Sequence, residues 1–338
     1  MRNILVINVN WLGDVVFSSP VFPALKKQYP RAKIVCLAVP RVCPAIECME
    51  GVDEVIAYDE KGKHRSVLGK LTLIIRLRKY HFQAAFILHK SLTRALIARL
   101  AGIPIRVGYD TKKRAKHLTH IVEHSPAEEH RSSYYLRVIQ SFGVEIQEPT
   151  CRLQVSEVHK NSIRGKLASL DISDQDFVLV VHVCGNWDLK RWPQGSFRNC
   201  IEKLSQSAKY KIVIPGTEKD RRWIHGILQG LQPAPVLMIG NTDLKEFIAL
   251  MQRADLVLSA DSGPLHVANA VGTYTVALYG PTRPEITGPR GAGKFQILQH
   301  DVGCNRQPCY HLTCPDNICM QSITVEQVIN AVNSHFNQ

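Results

Sequence analysis

The sequence has no apolar run long enough to cross a membrane, which takes roughly 20 residues. The longest candidate, near Leu71–Ile75, ends at once at Arg76, Arg78 and Lys79. The chain begins with a strand-like apolar pattern over Ile4–Val9, which has neither the long apolar region nor the cleavage site of a signal peptide. Together these absences predict a cytoplasmic protein.

Several well-known signatures are also missing. The sequence contains no Walker A loop, no G-x-G-x-x-G, no G-x-S-x-G and no H-E-x-x-H motif. It has no heptad pattern, no solenoid period and no low-complexity run. Zinc-finger, helix-turn-helix and RNP signatures are absent too, so a nucleic-acid partner has no support and we expect none.

Acidic residues are nearly absent from one region. Between Lys61 and Val122 there are 15 Lys or Arg and one acidic residue, Asp110, a balance of +14. The whole chain has a net charge of +13, so the remainder sums to about −1. Such a field attracts phosphorylated or carboxylated partners, although a solvated surface is the alternative. The candidate anion-binding residues are Lys61, Lys63, Arg65, Lys112, Lys113, Arg114 and Lys116.

The chain has ten cysteines, and four of them recur at five-residue intervals in a Pro-rich irregular segment: Cys304, Cys309, Cys314 and Cys319. This spacing differs from the C-x2-C pair of common zinc sites. Packed thiols, or disulfides formed on isolation, explain it better than a metal does. We therefore expect no metal here and a reducing compartment.

Strand and helix patterns alternate in both halves of the chain, which predicts parallel sheets. The first half reads as strands at Ile4–Val9, Lys33–Ala38, Val55–Ala57, Ala84–Leu88 and Arg106–Val107, with helices at Val15–Gln28, Ser91–Ala101 and Arg131–Phe142. We predict two α/β domains, residues 1–155 and 156–322, with a ligand cleft between them. A helix within 323–338 follows and could pack back on either domain, including the first.

Two loops that follow strands in the two halves carry candidate chemistry. After the first strand, Gly13 would allow a tight turn, and Asp14 would be a helix cap or a general base; the loop alone favours the cap. In the loop over 182–193, Gly185 and Asn186 would approach a phosphate and Lys190 would offer a cation. Trp192 would pack this second loop.

Two further loops complete the set. Asp220, after a tight turn, would accept hydrogen bonds from ribose hydroxyls or cap a helix. In the segment over 254–284, a short strand is followed by a turn at Asp261, Ser262 and Gly263 and then by a helix that carries His266. The N–H groups at such a helix start are a site for a phosphate, although His266 could simply be packed. Together the loops suit group transfer from a nucleotide-activated donor.

In this order and spacing, the motifs NWLGD, KRWP, G-x-x-x-D, D-S-G-P-x-H and ALYGPT resemble those of glycosyltransferase family 9, the bacterial heptosyltransferases. The resemblance covers nearly the whole chain and is closer to the heptosyltransferase II branch. It implies a GT-B architecture of two Rossmann-like, doubly wound parallel-sheet domains. The first would bind the acceptor and the second the donor, ADP-heptose.

The resemblance also implies roles for the loop residues. Asp14 would be the general base of an inverting transfer, Lys190 would neutralise the diphosphate, and Asp261 would contact the heptose. From the loops and the resemblance together, the expected donor contacts are Gly13, Gly185, Asn186, Trp192, Asp220, Ser262, Gly263 and His266. No metal or cofactor is implied, because Lys190 and the helix dipole take that role.

The implied acceptor is an acidic glycolipid, the lipid A–Kdo–heptose inner core of lipopolysaccharide, which fits the basic region. We accordingly expect a monomer that works peripherally at the anionic cytoplasmic face of the inner membrane. Two alternatives stay open. One is a transferase of the same fold that moves a different sugar; the other is a non-catalytic protein that binds a nucleotide sugar or an anionic glycan.

Overall fold

The computed structural model describes residues 1–111, 113–125, 127–146, 149–185, 187–207, 209–309 and 313–336. By their internal contacts, the residues divide into two compact units, Met1–Gln154 and Val155–Gln338. Each unit is built around a parallel sheet of six strands. The predicted α/β class with two doubly wound domains is thus confirmed.

The first sheet has the strand order β3-β2-β1-β4-β5-β6. Its central strands are apolar along their whole length because helices cover both faces of a parallel sheet. Within β1, for example, every residue from Ile4 to Ile7 is buried. The strands are β1 (Asn3–Ile7), β2 (Lys33–Ala38), β3 (Glu54–Ala57), β4 (Ala84–Ile87), β5 (Ile105–Tyr109) and β6 (His120–Val122).

The helices of the first unit are α1 (Leu12–Phe17), α2 (Val21–Gln28), α3 (Cys43–Ile46), α4 (Val67–Arg78), α5 (Leu92–Leu100) and α6 (Arg131–Gln140), with 3₁₀ turns at Pro40–Val42 and Ala115–His117. The single helix predicted over Val15–Gln28 is wrong, since α1 and α2 are separate. The Ser18 hydroxyl bonds back to the Val15 carbonyl at 2.7 Å, and Pro20 disfavours helical backbone at the residue before it. Helix α1 therefore ends at Phe17, after six residues. It begins at Leu12, before the predicted start at Val15.

The second sheet has the order β12-β11-β10-β7-β8-β9. Its strands are β7 (Val178–His182), β8 (Lys211–Gly216), β9 (Val236–Ile239), β10 (Leu256–Ala260), β11 (Tyr274–Leu278) and β12 (Phe295–Leu298). The helices are α7 (Glu157–Ala168), α8 (Gln194–Ser205), α9 (Arg221–Leu228), α10 (Leu244–Arg253), α11 (Gly263–Ala270), α12 (Pro284–Thr287), α13 (Ile318–Gln321) and α14 (Val325–Phe336), with 3₁₀ turns at Asp188–Lys190 and Glu218–Asp220.

Helix α14 belongs to the second unit. Val328, Ala331 and Val332 are buried in the same apolar core as residues of α8, β7 and β10. The helix therefore packs on the second unit, which is one of the alternatives that the sequence left open. Its apolar stripe recurs at helical spacing and completes the core of the second sheet.

Both sheets have the same topology, in which strand order reverses once near the middle. The reversal falls between β1 and β4 in the first sheet and between β7 and β10 in the second. Ligands of open parallel sheets bind outside the carboxyl ends of the strands at such a reversal point. The loops after β1, β7 and β10 are thus placed to bind ligands. Among the described residues, no helix is long and apolar enough to cross a membrane.

Candidate active site

Asp14 lies in the first turn of α1, just after the carboxyl end of β1. The cap position is Trp11, so the interpretation of Asp14 as the helix cap is wrong. Gly13 has helical backbone in the same turn, in place of the predicted tight turn. The Asp14 carboxylate is half-buried and its Oδ1 accepts a hydrogen bond of 2.8 Å from the Tyr135 hydroxyl on α6. Asp14 is therefore oriented by a tertiary contact.

Tyr135 stays protonated and can only donate to the carboxylate. Burial, and then the negative charge of Asp14, raise the pKa of the Tyr135 hydroxyl well above its usual value. No local sequence pattern predicted this contact, because Tyr135 lies in a helix and follows no strand. Its helical spacing indicates only a packed side chain.

The loop before Asp14 is held by a buried arginine. Arg94 on α5 is 1% exposed, and its guanidinium donates to the Asn8 carbonyl and to Asn10 Oδ1, both at 2.7 Å. It also forms an ion pair of 3.3 Å with Glu60. From the other side, the Arg41 Nη2 donates to the Asn10 carbonyl at 3.0 Å. These bonds fix the loop that leads into α1, and sequence patterns did not identify them.

In the second unit, Asp261 follows β10 and contacts four side chains from the segments after β7, β10 and β11. Its Oδ2 accepts hydrogen bonds from Lys190 Nζ and Thr282 Oγ1, both at 2.6 Å, and from Thr287 Oγ1 at 3.3 Å. Its Oδ1 lies 3.3 Å from His266 Nε2. The carboxylate is 4% exposed. Both carboxylate oxygens thus already have protein partners in this structure, and the contact of Asp261 with the heptose stays a prediction.

Asp261 is nevertheless firmly ionised. Burial alone would raise the pKa of its carboxyl group, but the hydrogen bond from His266 and the charge of Lys190 hold that pKa well below its usual range. A buried carboxylate of this kind needs all of its donors. Its function in the structure is to hold those donors in place.

Lys190 brings a positive charge to the start of α11. The ammonium lies 5.3 Å from the centre of the Trp187 ring and its side chain is 22% exposed. Ser262 is the N-cap of α11 and Gly263 its first residue, and both are partly exposed. The first N–H groups of a helix have no partner within it. The cation and the helix start therefore lie together, and a phosphate site at this position stays a prediction.

Trp192 is a core residue and the predicted donor contact is wrong. It is fully buried, its Nε1 donates to the Ile323 carbonyl at 3.0 Å, and its ring meets Phe197 edge-on. The Gly185 carbonyl accepts a hydrogen bond from Arg191, whose Nε lies 2.8 Å from the carbonyl oxygen. Asn186, also predicted to contact the donor, lies outside the described residues.

Asp220 serves as a helix-capping side chain in this structure. Its Oδ2 accepts hydrogen bonds from the backbone N–H of Thr217 at 2.9 Å and from the Thr217 hydroxyl at 2.6 Å. This capping arrangement is one of the two interpretations that the sequence left open. The side chain remains partly exposed after β8.

The basic region is mostly exposed, with one exception. Lys61, Lys63, Arg65, Lys113 and Lys116 are all exposed. Lys112 lies outside the described residues.

Arg114 is fully buried, and its prediction as a surface anion contact is wrong. Its Nε donates to the Tyr109 carbonyl at 2.6 Å and its Nη1 to the His89 carbonyl. The guanidinium thus ties the loop after β5 to the end of β4. A run of basic residues in the sequence does not indicate which of their side chains is buried.

All ten cysteines carry free thiols. The four regularly spaced ones line a single cavity of about 40 Å³. Burial raises the pKa of the Cys319 thiol. Within the described residues, no three His, Cys, Asp or Glu side chains form a group that could hold a metal ion.

His182 is the last residue of β7 and lies near Ser259, and no sequence pattern indicated a role for it. Its Nδ1 lies 3.3 Å from Ser259 Oγ, and the Ser259 hydroxyl lies 3.0 Å from that of Ser262. Burial lowers the pKa of His182 to about 4. The imidazole is therefore neutral in the folded protein at pH 7.

This burial predicts a loss of stability in mild acid. Between the unfolded pKa near 6.5 and the folded pKa of about 4, only unfolded His182 binds a proton. The free energy of unfolding should therefore fall by roughly 2–3 kcal/mol as pH drops from 7 to 4.5. We expect the His182→Gln variant to lose this decrease in the free energy of unfolding, measured by urea titration at pH 7 and at pH 4.5. His225→Gln, at an exposed position on α9, is the control; equal pH dependence in all three proteins would contradict the prediction.

The comparisons with known proteins agree with one another. The sequence model of Glycosyltransferase family 9 (heptosyltransferase) matches residues 70–317. The chain is 28% identical over 301 residues to lipopolysaccharide heptosyltransferase 2 of Salmonella typhimurium, and the match covers 85% of each chain.

Solved structures are similar to this chain over nearly its whole length. The Escherichia coli ADP-heptose LPS heptosyltransferase II superposes with a TM-score of 0.82 at 25% identity, covering 100% of this chain and 99% of that one. A glycosyl transferase family 9 protein from Veillonella parvula superposes with a TM-score of 0.88 at 23% identity, covering 99% and 97%. The latter match shows the fold alone.

Proposed function

The chain belongs to glycosyltransferase family 9 and is a glycosyltransferase, and from this premise we propose that it moves heptose from ADP-heptose to the lipid A–Kdo–heptose core of lipopolysaccharide. The names of its relatives support this choice of substrates. The observation that carries it is the cluster of Lys190, Asp261 and His266 at the start of α11.

In this proposal the donor binds to the second unit through its diphosphate. The Lys190 ammonium and the N–H groups at the start of α11 stabilise the negative charge that develops as ADP leaves. Ser262 and Gly263 are partly exposed there and can approach the phosphates. Asp261 holds the ammonium at 2.6 Å, so the cation is positioned before the donor binds. Protein groups thus supply the charge stabilisation that the transfer needs.

The first unit supplies the base. We propose that the Asp14 carboxylate takes the proton of the attacking acceptor hydroxyl while Tyr135 keeps the carboxylate oriented. The acceptor oxygen forms a bond to the anomeric carbon of heptose, and the bond from that carbon to the diphosphate breaks. ADP leaves with the electron pair from the opposite side, so the configuration at the anomeric carbon inverts.

The acceptor carries carboxylates and phosphates, and we propose that the exposed basic residues of the first unit bind them at the cytoplasmic face of the inner membrane. Lys61 and Lys63 follow β3 and both are exposed. Exposed cations of this kind raise the local concentration of an anionic substrate. They contribute to acceptor binding without touching the reacting atoms.

We therefore expect the Lys61→Gln/Lys63→Gln variant to raise the KM for the acceptor about tenfold at low salt, with kcat nearly unchanged. The effect should shrink as ionic strength rises, because salt screens exposed charges. The control is Lys209→Gln/Lys211→Gln, which removes the same charge from exposed positions of the second unit. An unchanged acceptor KM in the first variant would argue against this assignment.

The proposed function is tested directly by a turnover assay with ADP-heptose and purified lipid A–Kdo–heptose acceptor, read by ADP release and by the mass of the glycolipid. Gain of one heptose by the acceptor supports the proposal. Binding of ADP-heptose without any product would favour the non-catalytic alternative. Product formation only with another nucleotide sugar would favour a transferase of the same fold with a different donor.

A further inference from the structure

Helix α4 exposes apolar side chains on the side that faces away from the core. Leu73, Ile74 and Leu77 are buried in the core of the first unit. On the other side, Val67 and Leu68 are each 74% exposed, and the same side carries two further exposed apolar residues, Leu71 and Ile75. Val67, Leu71 and Ile75 recur every four residues, so they form a stripe along the helix.

This concentration of exposed apolar residues is unusual for the molecule. Twelve large apolar residues are exposed among the described residues, and four of them lie on this one helix of 12 residues. The solvent side of a surface helix is normally polar. A contiguous exposed apolar patch rimmed by charge marks an interaction surface.

The rim of the stripe is strongly basic. The loop before α4 carries Lys61, Lys63 and Arg65, and the helix ends in Arg76, Arg78 and Lys79. The sequence has no acidic residue from Lys61 to Tyr109.

Two acidic side chains from neighbouring segments lie close to this rim. Glu54 on β3 lies 3.7 Å from Arg76, and Asp59 accepts the backbone N–H groups of Gly62 and Lys63. The six Lys and Arg residues of the rim outnumber these two carboxylates, so the surface around the stripe stays positive.

We propose that the exposed side of α4 and the Lys61–Arg65 loop form a docking surface for an anionic lipid bilayer. The apolar stripe would enter the boundary between headgroups and acyl chains, while the Lys and Arg side chains contact lipid phosphates. Each basic residue near an anionic surface strengthens binding about fivefold. The inference rests on the proposed function, in which the acceptor is itself embedded in such a membrane.

Charge argues for a bilayer and against a second copy of the chain. A symmetric dimer buries the same patch of both copies against each other. Pairing through α4 would bring two basic rims together, and the segment from Lys61 to Tyr109 has no acidic residue to pair with them. An anionic bilayer complements both the apolar stripe and its rim.

The test compares two variants that each replace two exposed apolar residues. Val67→Gln/Leu68→Gln alters the stripe, and Val158→Gln/Leu170→Gln alters exposed positions of the second unit. The probe is co-sedimentation with vesicles of phosphatidylglycerol and phosphatidylethanolamine. We expect the stripe variant to lose about tenfold or more in vesicle partitioning and the control to match the wild-type protein. Vesicles of phosphatidylcholine alone should bind all three proteins weakly.

Several outcomes would overturn the docking surface: unchanged partitioning of the stripe variant, an equal loss in the control, or equally strong binding to phosphatidylcholine. So would a wild-type dimer that the stripe substitutions make monomeric without affecting vesicle binding. If the stripe variant fails to fold, Leu71→Gln/Ile75→Gln replaces it.

Turnover with a lipid-free Kdo–heptose acceptor separates this inference from the proposed function. The stripe variant should keep wild-type activity on that acceptor and lose activity only on acceptor embedded in vesicles. Vesicle binding without any heptose transfer by the wild-type protein would refute the function while leaving the docking surface supported.

Discussion

The Asp14→Asn variant is expected to lose roughly 10² to 10⁴ in kcat while it binds ADP-heptose as the wild-type protein does. An amide cannot accept the proton of the acceptor hydroxyl at neutral pH, yet it is nearly the same size as the carboxylate. Its oxygen can still accept the Tyr135 hydroxyl, which lies 2.8 Å from Asp14 Oδ1. The substitution therefore removes the base and leaves the surrounding packing in place.

The measurement is kcat together with the Kd for ADP-heptose by titration calorimetry. Tyr135→Phe is the matched control, because it keeps the carboxylate and removes only the bond that orients it. We expect a loss in kcat of less than about tenfold for this control. If Asp14→Asn kept more than a tenth of the wild-type kcat, the base would have to be another group. A loss of donor binding in Asp14→Asn would show a structural role instead.

Lys190→Met is expected to damage both stability and chemistry. It leaves the buried Asp261 carboxylate without its cation, which should lower the free energy of unfolding by roughly 2 to 4 kcal/mol. The lower part of that range applies because Lys190 is 22% exposed and thus partly screened. The leaving diphosphate also loses its nearest cation, so kcat/KM for ADP-heptose should fall by roughly 10² to 10³.

The double variant Lys190→Met/Asp261→Asn separates these two effects. It removes both charges, and the asparagine can still accept the hydrogen bond that Thr282 Oγ1 gives to Asp261 at 2.6 Å. We expect stability within about 1 kcal/mol of the wild-type protein, measured by urea unfolding, but turnover as poor as in Lys190→Met. Recovery of turnover along with stability would mean that Lys190 serves only to neutralise Asp261.

Most strands of the two sheets could be predicted from the sequence, but helix α4 could not. Strands of a parallel sheet are buried on both faces, so segments such as Lys33–Ala38 and Ala84–Ile87 stand out as short apolar runs. Helix α4 was missed because apolar residues lie on both its buried and its exposed side, which hides the helical period. The same exposed side chains carry the proposed membrane contact.

The site was predictable only as a set of loops. The positions of Asp14, Lys190 and Asp261 follow from the strands that precede them, because parallel strands end at one edge of a sheet. Pairing between side chains depends on tertiary packing and left no local pattern. Thus the ion pair of Lys190 with Asp261 and the inward turn of Arg114 emerged only from the structure.

The carboxylate of Asp261 has a consequence for how its surroundings move. It receives bonds from Lys190 after β7, from His266 on α11, and from Thr282 and Thr287 after β11. No one of these segments can open alone without leaving a buried charge short of a donor. They should therefore exchange their amide hydrogens as one cooperative unit. Substitution at any one of the four donor positions should then also change amide hydrogen exchange at the other three.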